Sequence, residues 1–291
     1  MSARIAPGGQ IAVVAPCGAF DPARLAQGLT VARAHGLDVV ELPDLLRPHR
    51  YLASPDEQRA AQLMEALSSD RWAAVWIVRG GYGLTRILDR IDPAKVRPKP
   101  IIGFSDVTAL FAALHPHGKG PLVHGPMPHS LPSTDEASTE ALFALLAGEP
   151  PAPMSGETWA PGEASGPLVG GNLCLLAALC GTPWQLDVAG TVLVLEEVGE
   201  PPYRIDRLLQ QLVSAGGLRG VAAVAVGEMT NPAPEGADWT LRDVVMDHLG
   251  PLGVPVVAGL PIGHGARNRP FVWGTRAHVG DGELRFSPVV G

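Results

Sequence analysis

Lysine is nearly missing from this 291-residue chain: Lys95, Lys99 and Lys119 are the whole supply, and the formal net charge is -7. Without a basic stripe to neutralise a phosphate backbone, nucleic acid is not expected as a partner. Cysteine is equally scarce. Cys17, Cys174 and Cys180 are odd in number, sit in small apolar surroundings and lack Cys-x-x-Cys spacing, which fits reduced thiols in a cytoplasmic protein. Long hydrophobic runs are missing too. The apolar stretch at residues 11–15 is too short for a secretory core and far too short for a bilayer span, so neither export nor a membrane partner is expected. There is no internal repeat and no low-complexity segment. What the chain does have is a hydrophobic content of 46%, enough for one large core or two of ordinary size.

The first 130 residues alternate short apolar runs with helical periods. Strands are expected at residues 10–15, 37–42, 73–78 and 100–104. Between them, Asp21-Pro22 opens a helix that closes near Gly36, and Ser54-Pro55-Asp56-Glu57 reads as a capping box ahead of a helix to about Ser68. Continuous apolar strands separated by helices predict a parallel sheet covered on both faces, with sites outside the carboxyl ends of the strands. Residues 149–165 hold Pro150, Pro151, Pro153 and Pro161 without an apolar period and read as a linker. The division is then 1–148, linker 149–165, and a smaller α/β or α+β domain over 166–291. In that second part, strands are expected at 191–195, 221–226 and 254–258, a helix from Tyr203 to about Ala215, and a hairpin over 277–286 turning at Gly280-Asp281-Gly282.

The chemistry gathers at strand ends. Gly103-Phe104-Ser105-Asp106 sets a serine where an apolar run stops and a helical pattern starts, as in a nucleophile elbow. The alternative is an ordinary helix cap, and the second glycine of Gly-x-Ser-x-Gly is missing. A serine nucleophile needs a base and an orienting carboxylate. His264, in a glycine-flanked loop after an apolar strand, is the candidate base; Glu196, Glu197 and Glu200 are candidate orienters that spacing alone does not separate. Either of the first two could instead pair with Arg204 or Arg207. The N–H of Asp106 and one from Arg79-Gly80-Gly81-Tyr82-Gly83 would make the oxyanion hole, with Gly81 the expected donor. Those glycines lack both the Gly-x-Gly-x-x-Gly spacing and a P-loop lysine, so nucleotide binding is a weak competitor. His115, His117, His124 and His129 lie within fifteen residues, but prolines punctuate them and no carboxylate falls at ligand spacing. They read as a loop-borne, solvated cluster, and no metal or cofactor is expected.

An ordered set of motifs along nearly the whole chain resembles the LD-carboxypeptidase family of serine peptidases, which includes muramoyltetrapeptide carboxypeptidases and microcin C immunity peptidases. The set runs Val14-Ala15-Pro16, Arg79 to Gly83 with Arg86 and Asp92, Gly103 to Asp106 with Thr108-Ala109, and Gly125-Pro126-Met127. It continues with Gly170-Gly171-Asn172, Gly181-Thr182-Pro183-Trp184, Leu195-Glu196 with Tyr203-Arg204 and Arg207, and Gly263-His264. The resemblance implies an α/β fold with a Rossmann-like parallel-sheet N-terminal domain and a smaller β-rich α/β C-terminal domain. It implies a site at their junction, a homodimer, no metal, and a triad of Ser105, His264 and Glu196, the glutamate being the first carboxylate after its strand.

The immunity peptidases are longer ahead of the glutamate, where this chain is compact. The implied reaction is therefore hydrolysis of an L-to-D amide, releasing D-alanine from meso-diaminopimelate or lysine in a cytoplasmic murein tetrapeptide during peptidoglycan recycling. The substrate is a small peptide; Arg79, Asn172 and Arg204 are candidates to bind it, with structural ion pairing the alternative for both arginines. An immunity-type peptidase and a non-catalytic murein-peptide binder are the alternatives to that function.

Overall fold

The computed structural model describes residues 3–230 and 237–287, which form two compact units. The first runs to Pro150 and regains Arg269–Val272 late in the chain; the second holds the remainder. No helix among the described residues is long and apolar enough to cross a membrane.

In chain order the first unit contains β1 (Gln10–Val14), α1 (Pro22–Ala34), β2 (Asp38–Glu41), α2 (Asp56–Ser68), β3 (Ala74–Ile77), β4 (Ile101–Gly103), α3 (Val107–Leu114), β5 (Leu122–His124) and α4 (Glu136–Ala147). The strands pair in parallel in the order β5-β4-β3-β1-β2. From Ile11 to Val14, and from Ala74 to Ile77, no side chain reaches solvent, which is why these strands read as unbroken apolar runs rather than alternating ones. From β1 the sheet grows first to β2 on one side and then to β3 on the other. The gap beyond the carboxyl ends of β1 and β3 is the switch point where such sheets place ligands, and β4 ends next door. The expected capping box does not form: Pro55 occupies the cap of α2, and the Ser54 hydroxyl turns back to the carbonyl of Ala53 (2.8 Å).

The second unit contains β6 (Met154–Ser155), β7 (Glu157–Ala160), β8 (Ala164–Asn172), α5 (Leu173–Ala178), β9 (Val192–Glu197), α6 (Pro202–Ser214), β10 (Ala223–Met229), α7 (Leu241–Leu249) and β11 (Val256–Ala258). The chain then lays β12 (Phe271–Val272) antiparallel on β5 of the first unit and returns for β13 (Arg276–Gly280) and β14 (Glu283–Phe286). The eight-stranded sheet has the order β6-β14-β13-β8-β9-β10-β11-β7, with β8 to β11 parallel and antiparallel strands at both flanks. The hairpin turns where expected, on Asp281 (φ 51°) and Gly282 (φ 72°), the left-handed pair of a tight β-turn. Residues 149–165, read from sequence as a linker, instead supply β6, β7 and the start of β8. The prolines Pro150, Pro151 and Pro153 precede β6 and Pro161 follows β7, so they frame short flanking strands without removing a ladder donor from their interiors.

Candidate active site

The backbone at Ser105 has φ +67°, a left-handed conformation that costs a residue with a Cβ roughly 1–2 kcal/mol. Helix α3 starts two residues later with Asp106 as its cap, so Ser105 is not the helix cap that its sequence position also allowed. Its carbonyl accepts from Thr108 N (2.9 Å) and that of Phe104 from Val107 N (3.3 Å), which ties the turn to the first turn of α3. Every residue of α3 is buried, so the elbow stands on a packed base. A strained serine between a strand and a packed helix is the geometry of an exposed nucleophile.

Gly80 lies directly against this serine. A Cβ at residue 80 would come within 2.6 Å of Ser105 Cβ, 2.7 Å of its Oγ and 3.2 Å of Asp106 N. The carbonyl of Gly80 accepts from Gly18 N (3.1 Å), on the β1 side of β3. In a trans peptide the following N–H points the opposite way, so the Gly81 N–H is directed away from Gly18. Neither that N–H nor the N–H of Asp106 makes a hydrogen bond to another described residue. Open backbone donors on the residues that follow Ser105 and Gly80 are of the kind that stabilises an oxyanion. Gly81 itself has φ +97°, which only glycine adopts without strain. The contact between Gly80 and the serine carries no signal in the motif spacing, because all three glycines of the loop look alike in sequence.

The Asp106 side chain faces inward, wholly buried, and its Oδ2 accepts from Leu84 N (2.9 Å), joining the elbow to the end of the glycine loop. Burial raises its pKa, partly offset by the Leu84 N–H and the Cys17 thiol.

In the second unit, β9 runs straight into two carboxylates. Glu196 and Glu197 are its last two residues, not the residues after it as expected, and successive side chains of a strand face opposite sides. On one side Glu196 is fully buried, and its Oε2 lies 2.7 Å from Nδ1 of His264. On the other, Glu197 accepts from Asn172 Nδ2 (3.1 Å), Cys174 N (2.8 Å) and Val198 N (2.9 Å) and serves the start of α5. Glu200 pairs with Arg204 four residues on (3.2 Å). Strand register thus sorts the three acids that spacing could not.

His264 sits in a loop beyond β11 that packs closely on β9 and β10 through glycines. A Cβ at Gly227 would lie 2.3 Å from the carbonyl of Ile262, one at Gly263 3.3 Å from Glu196 Oε2, and one at Gly265 1.9 Å from Glu228 Oε2. Glu228 N donates to Ile262 O (2.7 Å), Glu228 pairs with Arg267 (3.1 Å), and Gly263 N donates to Asn268 Oδ1 (3.3 Å). Glu228 and Asn268 were missed in the sequence, although Glu228 ends an apolar strand just as Glu196 does. Burial pulls the His264 pKa down, but the charge and hydrogen bond of Glu196, with the charge of Glu197, outweigh it and the net shift is upward. A buried carboxylate on Nδ1 fixes the tautomer and leaves Nε2 as the basic nitrogen.

The candidate substrate-binding residues fare differently. Arg79 is half buried and donates from Nη1 to Ala19 O (2.7 Å); among the described residues it has no carboxylate partner. Arg204 is exposed in its pair with Glu200, the structural alternative weighed for it. Asn172 is 3% exposed, capping α5 through Leu175 N (3.2 Å) as it holds Glu197, which makes it a support of the strand end. The four histidines do not gather: His115 and His117 follow α3, His129 lies beside α1, and His124 is buried in β5, stacked on Phe271 at 4.6 Å. The loop-borne reading therefore fails for His124. Among the described residues no three His, Cys, Asp or Glu side chains come together as a metal ion would need.

Comparison with known proteins gives the family. The LD-carboxypeptidase N-terminal domain matches residues 11–125 and the LD-carboxypeptidase C-terminal domain residues 165–279. The murein tetrapeptide carboxypeptidase of Pseudomonas aeruginosa is 34% identical over 96% of this chain and 95% of its own. The crystal structure of muramoyltetrapeptide carboxypeptidase from Oxalobacter formigenes has a TM-score of 0.85 at 30% identity, covering 95% of this chain and 97% of that one. MccF in complex with glutamyl sulfamoyl guanosine shares the fold at TM-score 0.88 and 17% identity, with 99% and 98% covered. With both domains matched in order, this chain belongs to the LD-carboxypeptidase family and is a serine-type carboxypeptidase.

Proposed function

We propose that this protein removes the terminal D-alanine from murein tetrapeptides in the cytoplasm by cutting its amide to meso-diaminopimelate or lysine, with Ser105, His264 and Glu196 as a triad. The observation that carries the reading is the 2.7 Å bond between a fully buried glutamate and a histidine, an arrangement that prepares an imidazole to accept and return a proton. The likeness to the Pseudomonas aeruginosa and Oxalobacter formigenes carboxypeptidases supports the choice of substrate.

In this mechanism Ser105 Oγ attacks the scissile carbonyl while its proton passes to His264 Nε2. The carbonyl oxygen takes up the negative charge between the N–H groups of Asp106 and Gly81. Collapse breaks the C–N bond, the imidazolium returns its proton to the departing D-alanine amine, and water repeats the sequence to free the acyl-enzyme. Glu196 stays ionised throughout and balances the imidazolium. An exopeptidase also holds the terminal carboxylate; Arg79, half buried and without an ion-pair partner among the described residues, suits that role.

The test is D-alanine release from synthetic tetrapeptides ending in D-alanine or L-alanine, with and without a chelator. Release from the D-alanine peptide alone, untouched by chelator, is expected. Loss of activity with chelator would point to a metal peptidase. No release, together with cleavage of a processed microcin analogue, would point to the immunity reaction.

A further inference from the structure

Arg59, on α2, is 1% exposed, and its guanidinium is spent on backbone from three places. Nε donates to Ser54 O (3.0 Å), while Nη1 donates to Gly83 O (2.9 Å), at the end of the glycine loop, and to Pro16 O, just past β1. Nη2 donates to Asp56 Oδ1 (2.5 Å). Asp56 is in turn gripped by Arg86, whose Nη2 lies 2.7 Å from Oδ2, and its pKa is held down to about 2, first by Arg86 and then by Arg59. The fit is close: a Cβ on Gly83, at φ +139°, would fall 2.7 Å from Nη1.

We infer that Arg59 is a positioning residue for the oxyanion hole. It clamps the carbonyls of Pro16 and Gly83 across the gap between β1 and β3, so that the loop carrying the Gly81 N–H keeps its distance from Ser105. The backbone on either side is tied by Gly80 O to Gly18 N (3.1 Å) and by Leu84 N to Asp106 Oδ2 (2.9 Å), while Gly81 and Tyr82 between them make no backbone hydrogen bond among the described residues and Tyr82 only rests its ring against Tyr51. The Arg59 bond to Gly83 closes that span from its far end. A buried ion pair is weak evidence for stability, since apolar replacements often do as well. A planar fork of donors reaching several carbonyls at once is a geometric device, and the three donors of a lysine cannot reproduce it. The inference rests on Ser105 being the nucleophile.

Arg59→Lys separates positioning from folding. Displacing an oxyanion donor by a fraction of an ångström acts on the tetrahedral state, so kcat is expected to fall roughly 10- to 100-fold with KM within about threefold. A peptide aldehyde, which forms a tetrahedral adduct with the serine, loses affinity by the same factor, while the tripeptide product binds as before. Where Arg59→Lys gives no folded protein, Asp56→Asn frees one guanidinium arm and is expected to give the same signature at about three- to tenfold. Unchanged kcat and aldehyde affinity in whichever variant folds, or equal weakening of aldehyde and tripeptide, would overturn the inference. Full turnover by Ser105→Ala would instead remove the serine reading on which it rests.

Discussion

Nδ1 of His264 lies 2.7 Å from Oε2 of Glu196, the penultimate residue of a strand hydrogen-bonded on both sides. The carboxylate has no freedom to follow the ring; the ring is held to the carboxylate. Glu196→Gln keeps the shape and removes the charge, so the amide can hold the wrong tautomer. A loss of about a hundred- to ten-thousand-fold in kcat with little change in KM is expected from steady-state kinetics on the tetrapeptide.

The same pair sets the pH dependence. A general base acts when neutral, and the net shift of His264 is upward, so kcat/KM rises with pH through a value above that of an ordinary imidazole. In Glu196→Gln the upward causes shrink while burial remains, and the limb moves to lower pH. For stability, a raised folded-state pKa gives a contribution fully present below the unfolded histidine value and lost as pH rises through the folded one. The melting temperature of wild type relative to His264→Gln is therefore greater at about pH 5 than at about pH 9.

Strain at the elbow gives a prediction with opposite signs for activity and stability. Ser105 is held at φ +67°, which glycine adopts freely. Ser105→Gly is expected to abolish turnover yet exceed Ser105→Ala in stability by about 1 kcal/mol in denaturant unfolding. Equal stability of the two variants would mean that the turn holds no strain.

Close approaches give a fourth. The Cβ of Gly265→Ala would meet the Glu228 carboxylate at 1.9 Å, and that of Gly80→Ala would meet Ser105 Oγ at 2.7 Å. Gly80→Ala is expected to cost at least about a hundredfold in kcat/KM by crowding the nucleophile. Gly265→Ala moves the His264 loop and is expected to cost about 1–3 kcal/mol of stability as well as activity.

Ile11 to Val14 and Ala74 to Ile77 announce a parallel sheet, because a strand covered on both faces has no polar alternation to confuse the reading. His264 and Glu196 were legible as polar groups at the ends of apolar strands. The preference for Glu196 over Glu197 came from family resemblance, and the physical reason, opposite faces of β9, exists only once the register is set. Backbone handedness is silent in sequence, so Ser105 looked as much a cap as a nucleophile. Arg59 was invisible for a related reason: its partners are carbonyls of Pro16, Ser54 and Gly83, and carbonyls leave no trace in side-chain pattern. The short strands β6 and β7 hid among prolines, and β12 is only two residues long.

The most direct measurement is D-alanine released per unit time from the tetrapeptide by purified wild type and Ser105→Ala at equal concentrations of folded protein. A fall of about ten-thousand-fold or more, with the tripeptide product still bound, is the expected result for a serine nucleophile. Turnover by Ser105→Ala within a few-fold of wild type would contradict it.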